Sequence, residues 1–183
     1  QVKIPFSKNM DLCIEDFIKK AKSVDMIYLD SPNNPTGFQF SNKDLEKLIK
    51  SFSGPIIIDE AYGEFSNSSV LSLVKKFPNV ILVKTLSKAF GLAGLRVGYM
   101  IADKKFTEVF SNVIQYPYPL NTLAIECGIL AIEKSKQIIS IFEIIKKQRT
   151  RIIKNLKKYD AFDVFDSNAN FVLFDAKGAD TRV

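Results

Sequence analysis

The sequence predicts an α/β fold in which a mostly parallel sheet is flanked by helices. Short apolar runs, each closed by polar or turn residues, alternate with segments of helical periodicity. The apolar runs are continuous, which is typical of strands covered on both faces. A length of 183 residues with 46% hydrophobic and 25% charged residues suits one globular domain, or one domain and part of another.

The first half of the chain supplies two predicted helices and four predicted strands. Residues 10–22 (MDLCIEDFIKKAK) and 41–52 (SNKDLEKLIKSF) carry apolar residues at helical spacing. Ser41 is placed to cap the second helix, ahead of Asp44. The four apolar runs predicted to be strands are residues 25–32, 54–62, 79–87 and 95–102.

The second half predicts a helix over 121–135, a longer helix over 137–160, and two strands within 161–178 joined by a turn at 167–170. The long helix has apolar positions at Ile138, Ile141, Phe142, Ile145, Ile152 and Leu156. Its length suits a helix that leaves one domain and enters another. We therefore divide the chain into a large domain, 1–137, and an interdomain helix with the beginning of a smaller domain, 138–183, and expect both domains to be incomplete.

Composition excludes several classes of function. The absence of histidine removes His-based nucleophilic triads and His-ligated zinc, and no metal site is expected. The net charge is +6, but the densest lysine cluster, 146–158, alternates with Ile and Leu like a half-buried helix, so no nucleic-acid partner is expected. Cys13 and Cys127 have no metal-like spacing and indicate free thiols in a reducing compartment.

The sequence carries no targeting or membrane signal that we recognise. No segment approaches the roughly 18 uninterrupted apolar residues of a membrane span, and the N-terminus, QVKIPFSKNMDLC, lacks the apolar core of a signal peptide. We therefore expect a cytoplasmic protein without a membrane partner.

Three motifs follow predicted strands: SPNNPTG (31–37), DEAYGEF (59–65) and TLSKAFGLAGLR (85–96). In open α/β sheets ligands bind outside the carboxyl ends of the strands, so residues just past these ends can converge on one pocket. Asn34, Asp59 and Lys88 occupy such positions and are therefore candidates for this pocket.

Taken singly, each motif also has an ordinary explanation. Lys88 can be a solvated lysine and Asn34 a turn residue. Asp59 can be a strand-exit carboxylate or the magnesium-site acid of a P-loop ATPase, but no GxxxxGK[ST] loop occurs in the sequence. The glycines of the third motif can simply allow close packing.

Taken together, the three motifs resemble the class I/II, fold-type I pyridoxal-phosphate aminotransferases, and are most similar to the histidinol-phosphate aminotransferase branch. The resemblance runs from about Asp25 to Phe174, and three spaced motifs in order are more specific than any one of them. It implies a fold-type I large domain, a mostly parallel sheet flanked by helices, and the start of a small α/β C-terminal domain.

The resemblance implies pyridoxal 5′-phosphate as the cofactor and a role for each motif. Lys88 matches the lysine that bonds covalently to the aldehyde of the cofactor and moves the proton at the substrate Cα. Asp59 matches the acid that pairs with the pyridine nitrogen and keeps it protonated.

The remaining matched residues hydrogen-bond the edge and the phosphate of the cofactor. Asn34 and Tyr62 match the groups that bind the ring 3′ oxygen. Thr85, Ser87 and Arg96 match two hydroxyl donors and a guanidinium that hold the phosphate, for which the planar fork of arginine is well suited.

Three further expectations come from the resemblance. Asn34–Pro35 is a candidate cis peptide. In QYPYPLNTLA (115–124), Tyr116, Tyr118 or Asn121 could line the substrate entrance, and a loop packed on the sheet would fit this stretch equally well. The glycine-rich phosphate loop of the family is expected upstream of this chain, and its substrate-carboxylate arginine downstream, since Arg182 lies too early to match it.

The implied activity is transfer of an amino group between an amino acid or amino-phosphate and a 2-oxo acid, best matched by histidinol phosphate with 2-oxoglutarate in histidine biosynthesis. The family also implies a homodimer. A pyridoxal-phosphate-dependent threonine-phosphate decarboxylase is an alternative, as is an aminotransferase-like sensor domain of a transcriptional regulator. Amino-acid profiling would separate the two enzymes, and an upstream winged-helix domain would indicate the regulator.

Overall fold

A computed structural model describes residues 1–178 and contains a four-stranded sheet in the order β1-β2-β3-β4. The strands are β1 (Ile27–Asp30), β2 (Ile56–Asp59), β3 (Val80–Thr85) and β4 (Gly98–Ile101). β1, β2 and β3 pair in parallel, whereas β4 runs antiparallel to β3. The predicted α/β fold with a mostly parallel sheet is confirmed.

Within residues 1–178, six α-helices surround or follow the sheet. They are α1 (Ile14–Ala21), α2 (Asn42–Ser51), α3 (Leu71–Lys76), α4 (Lys104–Val109), α5 (Thr122–Glu133) and α6 (Ser135–Leu156). The Ser41 hydroxyl accepts a hydrogen bond from the Asp44 amide at 3.1 Å, as expected of the N-cap of α2. α3 and α4 have six residues each, too short for helical periodicity to show in the sequence. No helix within residues 1–178 is both long enough and apolar enough to cross a membrane.

One face of the sheet forms the main hydrophobic core. Apolar side chains of α1, α2 and α3 pack on alternate residues of the strands, so that Ile56, Ile58 and Val80 are fully buried. The opposite face is only partly covered in the described part of the chain: Tyr28 of β1 is 57% exposed. The expectation that the strands are covered on both faces is therefore wrong for β1 within residues 1–178, whereas Ile81 on the same face of β3 is buried.

β5 (Phe162–Val164) and β6 (Phe174–Ala176) form a separate antiparallel pair after α6, as predicted for this stretch. The apolar face of α6 is narrower than its sequence indicates, because Ile141 and Ile152 are 49% and 46% exposed whereas Phe142 is buried. The division into domains at residue 137 remains a prediction, and Arg182 lies outside the described residues.

A buried arginine of α6 joins the turn that follows β2 to the segment between β5 and β6. One terminal nitrogen of Arg149, Nη1, donates to the carbonyl oxygens of Phe65 at 2.9 Å and Ala169 at 2.7 Å. Nearby, the amide of Asn168 donates to the carbonyl oxygen of Gly37 at 2.8 Å. A Cβ at position 37 would lie 2.6 Å from the Cβ of Ser167, so this close approach requires glycine.

We expect Arg149→Met to lower the free energy of unfolding by about 2–4 kcal/mol, because methionine fills the space but leaves two buried carbonyl oxygens without a donor. Arg151→Met is the matched control, since Arg151 is exposed on the same helix and its loss should cost less than about 0.5 kcal/mol. Urea unfolding of both variants measures the difference. Equal stabilities would contradict this account of Arg149.

Candidate functional site

The carboxyl ends of the parallel strands lie at one edge of the sheet. Asp30 pairs with Asp59 across β1 and β2, and Asp59 pairs with Val83 across β2 and β3. Each predicted motif follows one of these strands, so the register alone places all three at the same edge.

Side chains from the three motifs meet beyond this edge. Asn34 donates through Nδ2 to the Tyr62 hydroxyl at 3.0 Å, which joins the first motif to the second. Lys88 Nζ lies 5.4 Å from the centre of the Tyr62 ring, which joins the second motif to the third. Tyr62 is buried, while Asn34 and Lys88 are exposed, so an amide, a phenol and an amine are grouped where a ligand can reach them.

Asp59, the last residue of β2, is held by two donors. Its Oδ1 accepts the Ala61 amide hydrogen at 2.8 Å, and its Oδ2 accepts the Tyr28 hydroxyl hydrogen at 2.9 Å. Burial, the bond to Asp59 and the charges of Asp59 and Asp30 raise the pKa of Tyr28 to about 12. The phenol is therefore protonated and available as a donor at neutral pH.

The loop of the first motif is fixed by its own polar side chains. The carboxylate of Asp30 accepts the side-chain amide of Asn33 at 2.8 Å and the backbone amide of Asn34 at 3.1 Å. The Asn34–Pro35 peptide is cis, as predicted, and the Ser31–Pro32 peptide is cis as well, which was not predicted. These contacts determine how Asn34 leaves the end of β1.

Two of the three predicted phosphate-binding residues are brought together. Thr85 Oγ1 lies 2.9 Å from Ser87 Oγ and accepts the Ser87 amide hydrogen at 3.1 Å. Arg96 has a left-handed backbone, with φ of 56°, and its guanidinium donates to the Ala93 carbonyl at 3.1 Å. None of the hydrogen bonds found within residues 1–178 joins Arg96 to Thr85 or Ser87.

A buried ionic cluster supports the turn that carries Tyr62, and the sequence analysis missed it. Glu60 is fully buried and accepts hydrogen bonds from the Val70 amide at 2.6 Å and the Ser69 hydroxyl at 2.8 Å. Lys84 Nζ lies 3.4 Å from Glu60 and 2.8 Å from Glu64. The available signal was strand alternation, which puts residues 60 and 84 on the core face of β2 and β3.

The proposed substrate-entrance residues are not drawn into this site. Tyr116 and Tyr118 are 83% and 92% exposed, so they also do not pack on the sheet. Asn121 caps α5, because its Oδ1 accepts the amide hydrogen of Ala124 at 2.9 Å. A role at the entrance stays a prediction for all three residues.

Comparison with known proteins confirms the fold and the family that the sequence resembles. A family model described as aminotransferase class I and II matches residues 2–181. The histidinol-phosphate aminotransferase of Thermoanaerobacter pseudethanolicus is 34% identical over 182 residues, which cover 98% of this chain and 51% of that relative.

Two solved structures are similar as well. The histidinol-phosphate aminotransferase from Clostridium acetobutylicum matches with a TM-score of 0.90 at 30% identity. The match covers 97% of this chain and 55% of the Clostridium chain. The L-threonine-O-3-phosphate decarboxylase from Porphyromonas gingivalis matches with a TM-score of 0.76 at 26% identity. The match covers 85% of this chain and 49% of the decarboxylase chain. This chain thus spans about half the length of the relatives that it matches.

We expect Lys84→Met to lower the free energy of unfolding by about 3–5 kcal/mol, because it leaves two buried or half-buried carboxylates without their cation. Lys76→Met is the control, since Lys76 is exposed and pairs with Glu46, and its loss should cost no more than about 1 kcal/mol. Denaturant unfolding of both variants tests the difference, and similar losses would refute this role of Lys84.

The same cluster sets a dependence on pH. Burial acts to lower the pKa of Lys84, but the hydrogen bond to Glu64 and the charges of Glu64 and Glu60 outweigh it and raise the pKa above 10.5. The stabilisation by Lys84 is therefore complete below pH 10.5 and declines as the pH rises through the higher value of the folded state.

Proposed function

This chain belongs to the class I and II aminotransferase family, and we propose that its protein transfers an amino group between an amino compound and a 2-oxo acid with pyridoxal phosphate as cofactor. The observation that carries the proposal is the meeting of Asn34, Tyr62 and Lys88 at the carboxyl edge of the sheet. Because the chain spans about half of its relatives, the proposal concerns the whole protein.

The chemistry of the side chains at this edge fits the cofactor. Lys88 offers an amine for the aldehyde of pyridoxal phosphate, and Asp59 offers a carboxylate for its pyridine nitrogen. The Asn34–Tyr62 pair can hydrogen-bond the ring oxygen, and the Thr85–Ser87 pair can donate to the phosphate. When bound, the cofactor supplies an electron-poor ring that stabilises negative charge at the substrate Cα.

In this proposal Lys88 holds the cofactor covalently through Nζ. Once it is released, its amine takes the proton from the substrate Cα and delivers it to C4′ of the cofactor. Asp59 holds the proton on the pyridine nitrogen, which a carboxylate does better than a neutral group because it carries full negative charge. Asp59 ends β2, and Lys88 lies three residues after the end of the neighbouring β3, so both lie beyond the same edge of the sheet.

The neighbouring polar groups bind and orient. Asn34 and Tyr62 act as one unit, because the amide donates to the phenol oxygen and leaves the phenol hydrogen free to donate to the ring oxygen. Thr85 and Ser87 supply hydroxyls to the phosphate. Arg96 joins them only if its guanidinium turns away from the Ala93 carbonyl, for which an exposed side chain is free.

The names of the relatives support histidinol phosphate as amino donor, with a 2-oxo acid such as 2-oxoglutarate as acceptor, in histidine biosynthesis. Decarboxylation of threonine phosphate is the second candidate, favoured by the similarity to the decarboxylase structure. The two reactions differ in which bond at the substrate Cα is broken. The hypothesis of a regulator's sensor domain has no support among the relatives named above.

A homodimer in the cytoplasm remains part of the proposal. The exposed surface of α5 supports an additional contact, because Leu123, Ile129 and Leu130 are each at least half exposed. Either a second copy or further residues of the same protein would cover these apolar side chains.

We expect the full-length protein to show a visible absorbance band with pyridoxal phosphate that borohydride makes irreversible. Lys88→Ala should lose the band, because no amine remains at the site to bond the aldehyde. Lys154→Ala, which removes an exposed lysine of α6, is the matched control and should keep the band. Identical spectra for wild type and Lys88→Ala would overturn the assignment.

The substrate is tested with the same preparation. Histidinol phosphate should bleach the band and, with 2-oxoglutarate, yield glutamate, whereas threonine phosphate should release no carbon dioxide. Release of carbon dioxide from threonine phosphate without glutamate would replace transamination by decarboxylation while keeping the cofactor.

A further inference from the structure

Tyr28 is an exposed aromatic residue whose polar end is nevertheless bound. It lies in β1 between the core residues Ile27 and Leu29, so strand alternation turns it to the sheet face opposite the main core. The side chain is 57% exposed, yet its hydroxyl lies 2.9 Å from Asp59 Oδ2 on the neighbouring strand.

We propose that Tyr28 is a positioning residue of the cofactor site, because its hydroxyl bond fixes the carboxylate plane of Asp59 for the pyridine nitrogen. The inference rests on the proposed function, since it assumes that Asp59 meets that nitrogen. It adds a residue from β1 that lies outside all three motifs.

The two donors on Asp59 act together. The terminal torsion of an aspartate is broad, so the bond from Ala61 to Oδ1 alone leaves the carboxylate free to turn. The bond from Tyr28 to Oδ2 supplies a second point on another strand and so fixes the plane. Each carboxylate oxygen can accept two hydrogen bonds, so a position on Asp59 remains open for a third donor.

The electrostatics favour the same arrangement. A phenol that donates to a carboxylate stabilises the charged form of that carboxylate. The pKa of Tyr28 is raised in return. Burial is the largest cause, followed by the hydrogen bond to Asp59 and the charges of Asp59 and Asp30. The phenol therefore keeps its hydrogen throughout the neutral range. A phenylalanine would fit the strand equally well but could not donate.

The first test compares Tyr28→Phe with Tyr159→Phe in the full-length protein. Both variants lose one phenol oxygen, but Tyr159 lies after the end of α6, where it is 62% exposed and its ring packs against Phe162. We expect Tyr28→Phe to bind pyridoxal phosphate about tenfold more weakly, as for a lost hydrogen bond to a charged group, and Tyr159→Phe to bind like wild type. Thermal melting of the cofactor-free variants shows whether the change affects folding.

The second test needs no cofactor. In the cofactor-free protein labelled with ¹³C at the tyrosine ring carbon that bears oxygen, the Tyr28 resonance is identified by its loss in Tyr28→Phe. Followed up to pH 10.5, it should stay at its protonated position in wild type and shift further in Asp59→Asn, where the carboxylate charge that raises the pKa of Tyr28 is absent. A purely structural role for the ring would give the same titration in both proteins.

The outcomes separate the two proposals. Weaker binding by Tyr28→Phe together with a titration that depends on Asp59 supports the positioning role. If wild type and Tyr28→Phe bind the cofactor equally well, the positioning role is overturned. If wild type binds no pyridoxal phosphate, the proposed function fails, and the cofactor role of Tyr28 fails with it, even where the titration finds the bond to Asp59.

Discussion

The parallel pairing of β2 between β1 and β3 is the constraint on which the rest of the structure depends. It brings Asp30, Asp59 and Val83 to one level, so the three loops that follow leave the sheet at the same edge. The core side chains of β2 are fully buried, so a slip of one residue would turn Ile56 and Ile58 away from the core. The hydrophobic core therefore also determines the position of the polar site.

A second layer holds the turns beyond that edge in place. Glu60 and Lys84 lie beneath the turn that carries Tyr62, and Arg149 binds the carbonyl of Phe65 at the end of that turn. The ring of Phe171 packs edge-on against Tyr62 with 5.1 Å between the ring centres. The phenol that receives the Asn34 amide is thus fixed from the sheet, from α6 and from the segment after α6.

Local patterns in the sequence were sufficient for the strands, for the Ser41 cap and for the convergence of the motifs, because each depends on neighbouring residues or on the general behaviour of α/β sheets. Short helices such as α3 lack enough turns to show a period. The contacts of Tyr28 with Asp59 and of Arg149 with Phe65 could not be predicted. The partners are separated by 31 and by 84 positions along the chain, respectively. The exposure of the second sheet face could not be predicted either, because an apolar run in the sequence does not show which elements cover it.

The proposed function depends most directly on Lys88 as the residue that bonds the cofactor. Reducing the full-length protein with borohydride in the presence of pyridoxal phosphate, then digesting it and locating the added mass by tandem mass spectrometry, tests this directly. We expect one stoichiometric adduct on Lys88, with the other lysines unmodified. A stoichiometric adduct on any other lysine, or scattered labelling without an adduct on Lys88, would contradict this expectation.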